Sequence, residues 1–286
     1  MNIEQDISLA QFTTLRVGGP ADYFARATSE AELLKALAFA REKNLKTFLL
    51  GGGSNVLFAD EGFRGMIIRN ELTKIELGDD AVTVESGAAL GLLLARAGKA
   101  GLSGLEALAG LPGTVGGAVA GNAGSYGTEI GDLVESAHVL TASGVQTVDR
   151  NWFEFEYRNS RLKQWSGDIL ISVTLKLQIS DPKTVQDKMY ATAKERALKE
   201  PGGATAGSFW KNPNHPHKAW ELIDACELRG LQIGGASVAV EHANYLRNQG
   251  GATTADFLKL AERVEEAVMQ THGVRLEREV QVIPEL

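Results

Sequence analysis

Two hydrophobic periods alternate along the chain. After the turn Arg16-Val17-Gly18-Gly19-Pro20, a short apolar run predicts a strand over 22–26. Ser29 and Glu32 form a capping box for a helix with Leu33, Leu34, Leu37 and Ala40 on one face. A strand over 46–50 then feeds a glycine loop. Beyond Gly65 the period shortens, predicting strands over 66–69, 74–77 and 81–86, with Gly78-Asp79-Asp80 as a hairpin turn. A helix is expected over 90–99. Strands over 135–141 and 145–149 flank Ser143-Gly144, and 169–179 alternates as a long strand with one buried face.

Asp181-Pro182 opens a helix to about Lys199, broken by Pro201-Gly202-Gly203. A helix is expected near 218–228, with short strands near Ile233 and over 245–247. The helix over 254–272 aligns Phe257, Leu260, Ala261, Val264 and Val268 and stops at Gly273. A closing strand over 274–283 returns to an earlier lobe. The pattern divides the chain into a first lobe at 1–70, joined by 274–286, a second lobe at 71–180 and a separate α/β domain at 181–273.

Composition narrows the class. The 286 residues are 44% hydrophobic and 23% charged, as in ordinary globular proteins, and too long for one core. A net charge of −7 argues against a nucleic-acid-binding face. No signal peptide and no apolar run of about 20 residues is visible, so no membrane association is expected. The single Cys226 fits a reducing cytoplasm and is expected to be buried on a helix.

Glycine carries the strongest chemical signal. Residues 110–131 hold glycine at 110, 113, 116, 117, 121, 124, 127 and 131 among small apolar residues, unlike a flexible linker. Glycine here frees the backbone to take positive φ and to approach a large ligand. In Gly51-Gly52-Gly53-Ser54-Asn55, successive N–H groups can form an anion-binding nest, and Asn122 and Ser125 offer polar anchors in the longer tract. Two such loops suggest a wrapped, phosphate-bearing cofactor; tight packing of glycine backbones on each other is the alternative. No HExxH or paired cysteine spacing signals a metal, and the P-loop, GxGxxG and GxSxG motifs are absent.

Leu50-Gly-Gly-Gly-Ser-Asn-Val-Leu57, Gly110-Leu-Pro-Gly-Thr-Val-Gly-Gly-Ala118 and Asn122-Ala-Gly-Ser-Tyr-Gly127 resemble the UDP-N-acetylenolpyruvoylglucosamine reductase family. So do the later motifs Phe155-Glu-Tyr-Arg-Asn-Ser160, Ala206-Gly-Ser-Phe-Trp-Lys-Asn-Pro213 and Gly273-Val-Arg-Leu-Glu-Arg-Glu-Val280. The resemblance implies an α+β, FAD-binding fold of the vanillyl-alcohol-oxidase type, with two lobes and a third, substrate-binding domain. It implies FAD as cofactor, held by Leu50, Gly51, Gly52, Gly53, Ser54, Asn55, Val56, Gly110, Pro112, Gly113, Thr114, Gly116, Gly117, Asn122, Gly124, Ser125 and Gly127. The compact stretch from Lys211 to Leu228 resembles the shorter subtype, which lacks a tyrosine-bearing substrate loop.

The family reaction implies NADPH as reductant and UDP-N-acetylglucosamine enolpyruvate as substrate, in peptidoglycan precursor synthesis, by a cytoplasmic monomer. Hydride arrives at C3, so the site needs a cation for the carboxylate and an acid for C2. By resemblance Arg158 is the cation, Ser208 the proton donor and Glu279 the partner of Arg158. Glu277 faces the same side of a strand, so the choice between them rests on resemblance. Tyr157, Lys211, Asn212, His242 and Asn244 are expected to line the substrate site. Another flavin oxidoreductase of the same fold, or a non-catalytic flavin protein, would keep the glycine loops without needing Arg158, Ser208 and Glu279 together.

Overall fold

The structure is a computed structural model that describes residues 1–164 and 167–284. The first lobe is a four-stranded sheet in the order Ile3–Ser8, Pro20–Ala27, Phe63–Asn70, Thr47–Leu50. The outer pair Ile3–Ser8/Pro20–Ala27 is antiparallel; the other two pairings are parallel. The helix Glu30–Glu42 covers it through Leu33, Ala36 and Ala40, whereas Leu34, expected on that face, is 41% exposed. Ser29 Oγ accepts from Glu32 N at 3.3 Å, but the Glu32 carboxylate turns to the Thr28 N–H. Half of the predicted capping box is therefore made.

The second lobe is a five-stranded antiparallel sheet in the order Gly144–Asp149, Val134–Thr141, Ile169–Lys176, Ala81–Glu85, Ile75–Leu77. Both predicted hairpins are present. The long strand differs from expectation in two ways. It stops at Lys176, and Gln178–Ile179 pairs instead with Leu102–Ser103. It is also buried on both faces, because a register shift makes Ile171 an extra residue and reverses the alternation. Leu170, Val173 and Leu175 join the core beneath Leu90–Lys99, while Ile171 packs among Ala25, Met66 and Ile68 of the first lobe. One bulge thus welds the two lobes.

The helix Pro182–Lys199 is capped by Asp181 and buries Val185 and Met189 in that same second-lobe core. The packing boundary accordingly follows Lys199, whereas the third domain was expected to begin at 181. Beyond it, the antiparallel sheet Ala204–Ser208, Tyr245–Asn248, Ala236–Val238, Gln232–Ile233 packs on Ala219–Ala225 and Thr254–His272. The latter buries the five predicted apolar side chains and ends at Gly273, whose φ is 66°. Cys226 caps the end of Ala219–Ala225 and is half-buried, less enclosed than expected.

The predicted strand over 274–283 is shorter. Gln281–Ile283 pairs in parallel with Val56–Phe58 of the first lobe. Before it, Leu276 and Val280 enter the third core, and Glu279 N donates to Phe209 O at 2.8 Å. The C-terminal segment therefore ties the third domain to the first lobe. Among the described residues, no helix is long and apolar enough to cross a membrane, and no His/Cys/Asp/Glu group is arranged for a metal.

Candidate active site

The two glycine loops touch. A Cβ on Gly52 would lie 2.6 Å from Gly113 Cα, and one on Gly113 would lie 2.8 Å from Ser54 Oγ. Such distances leave no room for a side chain, so part of the glycine content serves the crossing itself. Gly51, Gly116 and Gly117, with Thr114, line a cavity of about 420 Å³ between the lobes, and Phe48, Ile169 and Leu170 are among its apolar walls. Among the described residues, the backbone N–H groups of Gly52, Gly53, Ser54 and Asn55 find no protein acceptor. A slot of this kind beside free N–H donors fits a dinucleotide cofactor with its pyrophosphate at the loop.

The predicted cofactor residues divide into groups. Leu50 and Val56 bury their side chains in the first-lobe core and can offer only backbone. Thr114 Oγ1 accepts from Gly117 N at 3.3 Å and starts the short helix Val115–Ala120. Gly110 backs onto Arg196, and Pro112 O accepts from Ser54 Oγ at 3.5 Å. Asn122, Gly124, Ser125 and Gly127 lie on the side of Arg158 and Arg196. Asn122 is 1% exposed, and its amide holds Glu129, the Glu156 carbonyl and Gly131 N, so it braces the tract. Gly124 O accepts from Arg158, and Ser125 Oγ from Arg196.

Arg158 sits in the turn between the paired Glu156 and Asn159, at φ 56°. Its Nη2 donates to Gly124 O at 2.7 Å and its Nε lies 3.2 Å from Glu279 Oε1. Glu279 is 19% exposed, and its pKa is raised by burial, with Arg158, Lys163 and Lys211 pulling it back down. The sequence left Glu277 and Glu279 equivalent. The fold separates them: Glu277 is 72% exposed and pairs with Lys211, while Glu279 faces Arg158. Lys163, which no spacing singled out, donates to Arg158 O at 3.1 Å and also lines the inter-lobe cavity. Burial, with the charges of Lys211 and Arg158, pulls its ammonium pKa below the usual range against the opposing carboxylates.

Ser208 ends the strand Ala204–Ser208 after Gly207, whose φ of +77° meets an uneven register that re-aims the following side chain. The neighbouring Phe209 O receives Glu279 N, so the serine and the glutamate are held on one frame. Tyr157 Oη accepts from Asn212 N at 3.3 Å, and Lys211 pairs with Glu277, which brings those three predicted residues beside Arg158. Asn212 Oδ1 also accepts from Ala219 N. His242 packs edge-on to Tyr245, and burial lowers its pKa. Asn244 differs from expectation. It is 3% exposed, and its amide brackets the Trp210 backbone from both sides, so it shapes the strand instead of lining the site.

Comparison with known proteins comes to the same region. The FAD binding domain family matches residues 21–149, and the family described as UDP-N-acetylenolpyruvoylglucosamine reductase, C-terminal domain, matches residues 198–283. The UDP-N-acetylenolpyruvoylglucosamine reductase of Geobacter sulfurreducens is 40% identical over 283 residues, 98% of this chain and 93% of that protein. The Moorella thermoacetica protein of the same name is 40% identical over 277 residues, 96% of this chain and 91% of its own. A crystal structure of the Thermus caldophilus reductase has a TM-score of 0.86 at 35% identity, covering 99% of this chain and all of that one. The 6-hydroxy-D-nicotine oxidase of Arthrobacter nicotinovorans shares the fold alone, with a TM-score of 0.62 at 13% identity over 98% of this chain and 88% of its own.

Proposed function

The chain belongs to the UDP-N-acetylenolpyruvoylglucosamine reductase family, and from that premise we propose that it reduces UDP-N-acetylglucosamine enolpyruvate to UDP-N-acetylmuramate with NADPH. It is an FAD oxidoreductase with the vanillyl-alcohol-oxidase type of fold. The finer reading makes it a step of peptidoglycan precursor synthesis. A site assembled from one chain supports action as a monomer, and soluble nucleotide reactants support the cytoplasm. With no tyrosine between Tyr190 and Tyr245, the reading also keeps the shorter subtype.

Bound FAD supplies the hydride chemistry, and the crossed loops at 51–55 and 110–117 would hold it. The remaining demands fall on side chains. Arg158 meets the substrate carboxylate with a guanidinium already fixed by Gly124 O and Glu279, so little reorganisation is needed as charge grows there. Glu279, tied at its backbone to Phe209 and to Asn55, keeps that guanidinium from swinging away. Ser208 gives its proton to C2 from the adjoining strand. Lys211 and Asn212 meet the diphosphate. The half-buried Arg158–Glu279 pair beside Ser208 carries this reading.

The test is anaerobic. NADPH should bleach the flavin, and the enolpyruvyl substrate should restore its oxidised spectrum. A reduced flavin that ignores the substrate would overturn the assignment.

A further inference from the structure

We propose that Tyr245 is a positioning residue for Ser208, holding its hydroxyl and passing it a proton as the serine proton moves to C2. This rests on the reading of Ser208 as proton donor.

Ser208 and Tyr245 stand directly opposite each other on adjacent antiparallel strands, where opposed side chains share a face. Tyr245 is 6% exposed, and its ring sits edge-on to His242 at 4.8 Å between centroids. Its phenol lies between the Ser208 side chain, opposite it on the neighbouring strand, and the Glu200 carboxylate, whose charge bears on it. Glu200 is fixed in turn by Arg196 at 2.7 Å. Arg196 is a cation only 8% exposed, and it also donates to Ser125 Oγ at 2.8 Å and Ala109 O at 3.1 Å. Hydrogen bonds thus run from Ser125 through Arg196 to Glu200, and Tyr245 stands between Glu200 and the proposed acid Ser208.

The chemistry balances. As the Ser208 O–H bond breaks and the C2–H bond forms, negative charge develops on the Ser208 oxygen. The Tyr245 phenol, a stronger acid than an aliphatic alcohol, passes its proton to that oxygen. The phenolate then takes up one proton from bulk solvent on the side of Glu200, whose side chain is 29% exposed, and this is the one proton that the reduction consumes. Burial, then Glu200, pushes the phenol pKa above its usual range, so the proton is in place at the start of every cycle.

Tyr245→Phe keeps the ring and removes only the hydroxyl. FAD content and bleaching by NADPH should match the wild type, while reoxidation by the substrate slows by about 10- to 100-fold with unchanged substrate affinity. The solvent deuterium isotope effect on reoxidation should rise. Wild-type reoxidation in Y245F, alongside its loss in Ser208→Ala, would overturn the role of Tyr245 and leave Ser208 standing. Intact reoxidation in Ser208→Ala would remove the underlying reading as well. Equal slowing of both half-reactions in Y245F would make Tyr245 merely structural and sink the proposal. If Y245F does not hold FAD, Glu200→Gln decides: reoxidation should slow several-fold with reduction intact, and a wild-type rate would overturn the role.

Discussion

Asn55 Nδ2 donates to the backbone carbonyl of Glu279 at 3.1 Å, joining residues 224 positions apart. The loop proposed to hold the cofactor pyrophosphate thus holds the glutamate that faces Arg158. Cofactor binding and the geometry of the proposed substrate cation are mechanically linked through Asn55, whose backbone carbonyl also accepts from Gln281 N.

Asn55→Ala should therefore weaken two properties together. Loss of the hydrogen bond should cost about 1 kcal/mol of stability, and flavin should dissociate more readily. Urea unfolding and flavin retention on gel filtration measure both; tight flavin with unchanged stability would refute the link.

Glu279→Gln separates stability from activity. The folded pKa of Glu279 is raised above the usual carboxylate range, chiefly by burial. The sign follows from linkage: its favourable contribution is complete below the unfolded pKa and is lost as pH rises through the folded pKa. The glutamine variant lacks that loss, so at pH 7 it should be at least as stable as the wild type. Turnover should nevertheless fall by about 100-fold, in the range for removing one preorganised charge. Thermal melts across pH 4–8, with steady-state rates, check both halves.

Arg158→Lys should fail as a conservative change. The guanidinium reaches Gly124 O through Nη2 and Glu279 through Nε at once, and an ammonium is one point charge without that fork. Substrate reoxidation of the flavin should slow sharply while bleaching by NADPH continues. Stopped-flow absorbance of the two half-reactions would reveal equal effects if Arg158 were only structural.

Gly52→Ala places a methyl 2.6 Å from Gly113 Cα, where both partners are backbone and neither can rotate away. The loops must part, at a cost of about 1–3 kcal/mol. A lowered melting temperature and substoichiometric flavin are expected. Gly127→Ala has open space for its methyl, and its φ of 82° makes any cost one of backbone strain alone. It should therefore leave the loop crossing intact.

Much of the frame was legible because it follows from local rules. The helix over 254–272 carried its apolar stripe and its glycine stop within one stretch of chain. The hairpins around Gly78 and Gly144 were equally local. Long-range packing was not. Leu33, Leu34, Leu37 and Ala40 had equal claims to the buried face of their helix, and only the first-lobe sheet left Leu34 exposed and took in Ala36. The parity reversal at Ile171 depends on a neighbouring strand, and composition could not assign the helix Pro182–Lys199 to the second lobe.

The same division runs through the site. By itself the sequence determined the motif set, hence the family and the FAD chemistry, because glycine loops and the YRNS, GSFWKNP and LERE runs are contiguous. Which glutamate faces Arg158 was decided by the tertiary structure, as were the bracing roles of Asn122 and Asn244 and the presence of Lys163 and Tyr245 beside the proposed catalytic groups. The physical reason is that charge pairing, burial and hydrogen-bond satisfaction depend on distances across the fold, and sequence spacing encodes those distances only within a single element.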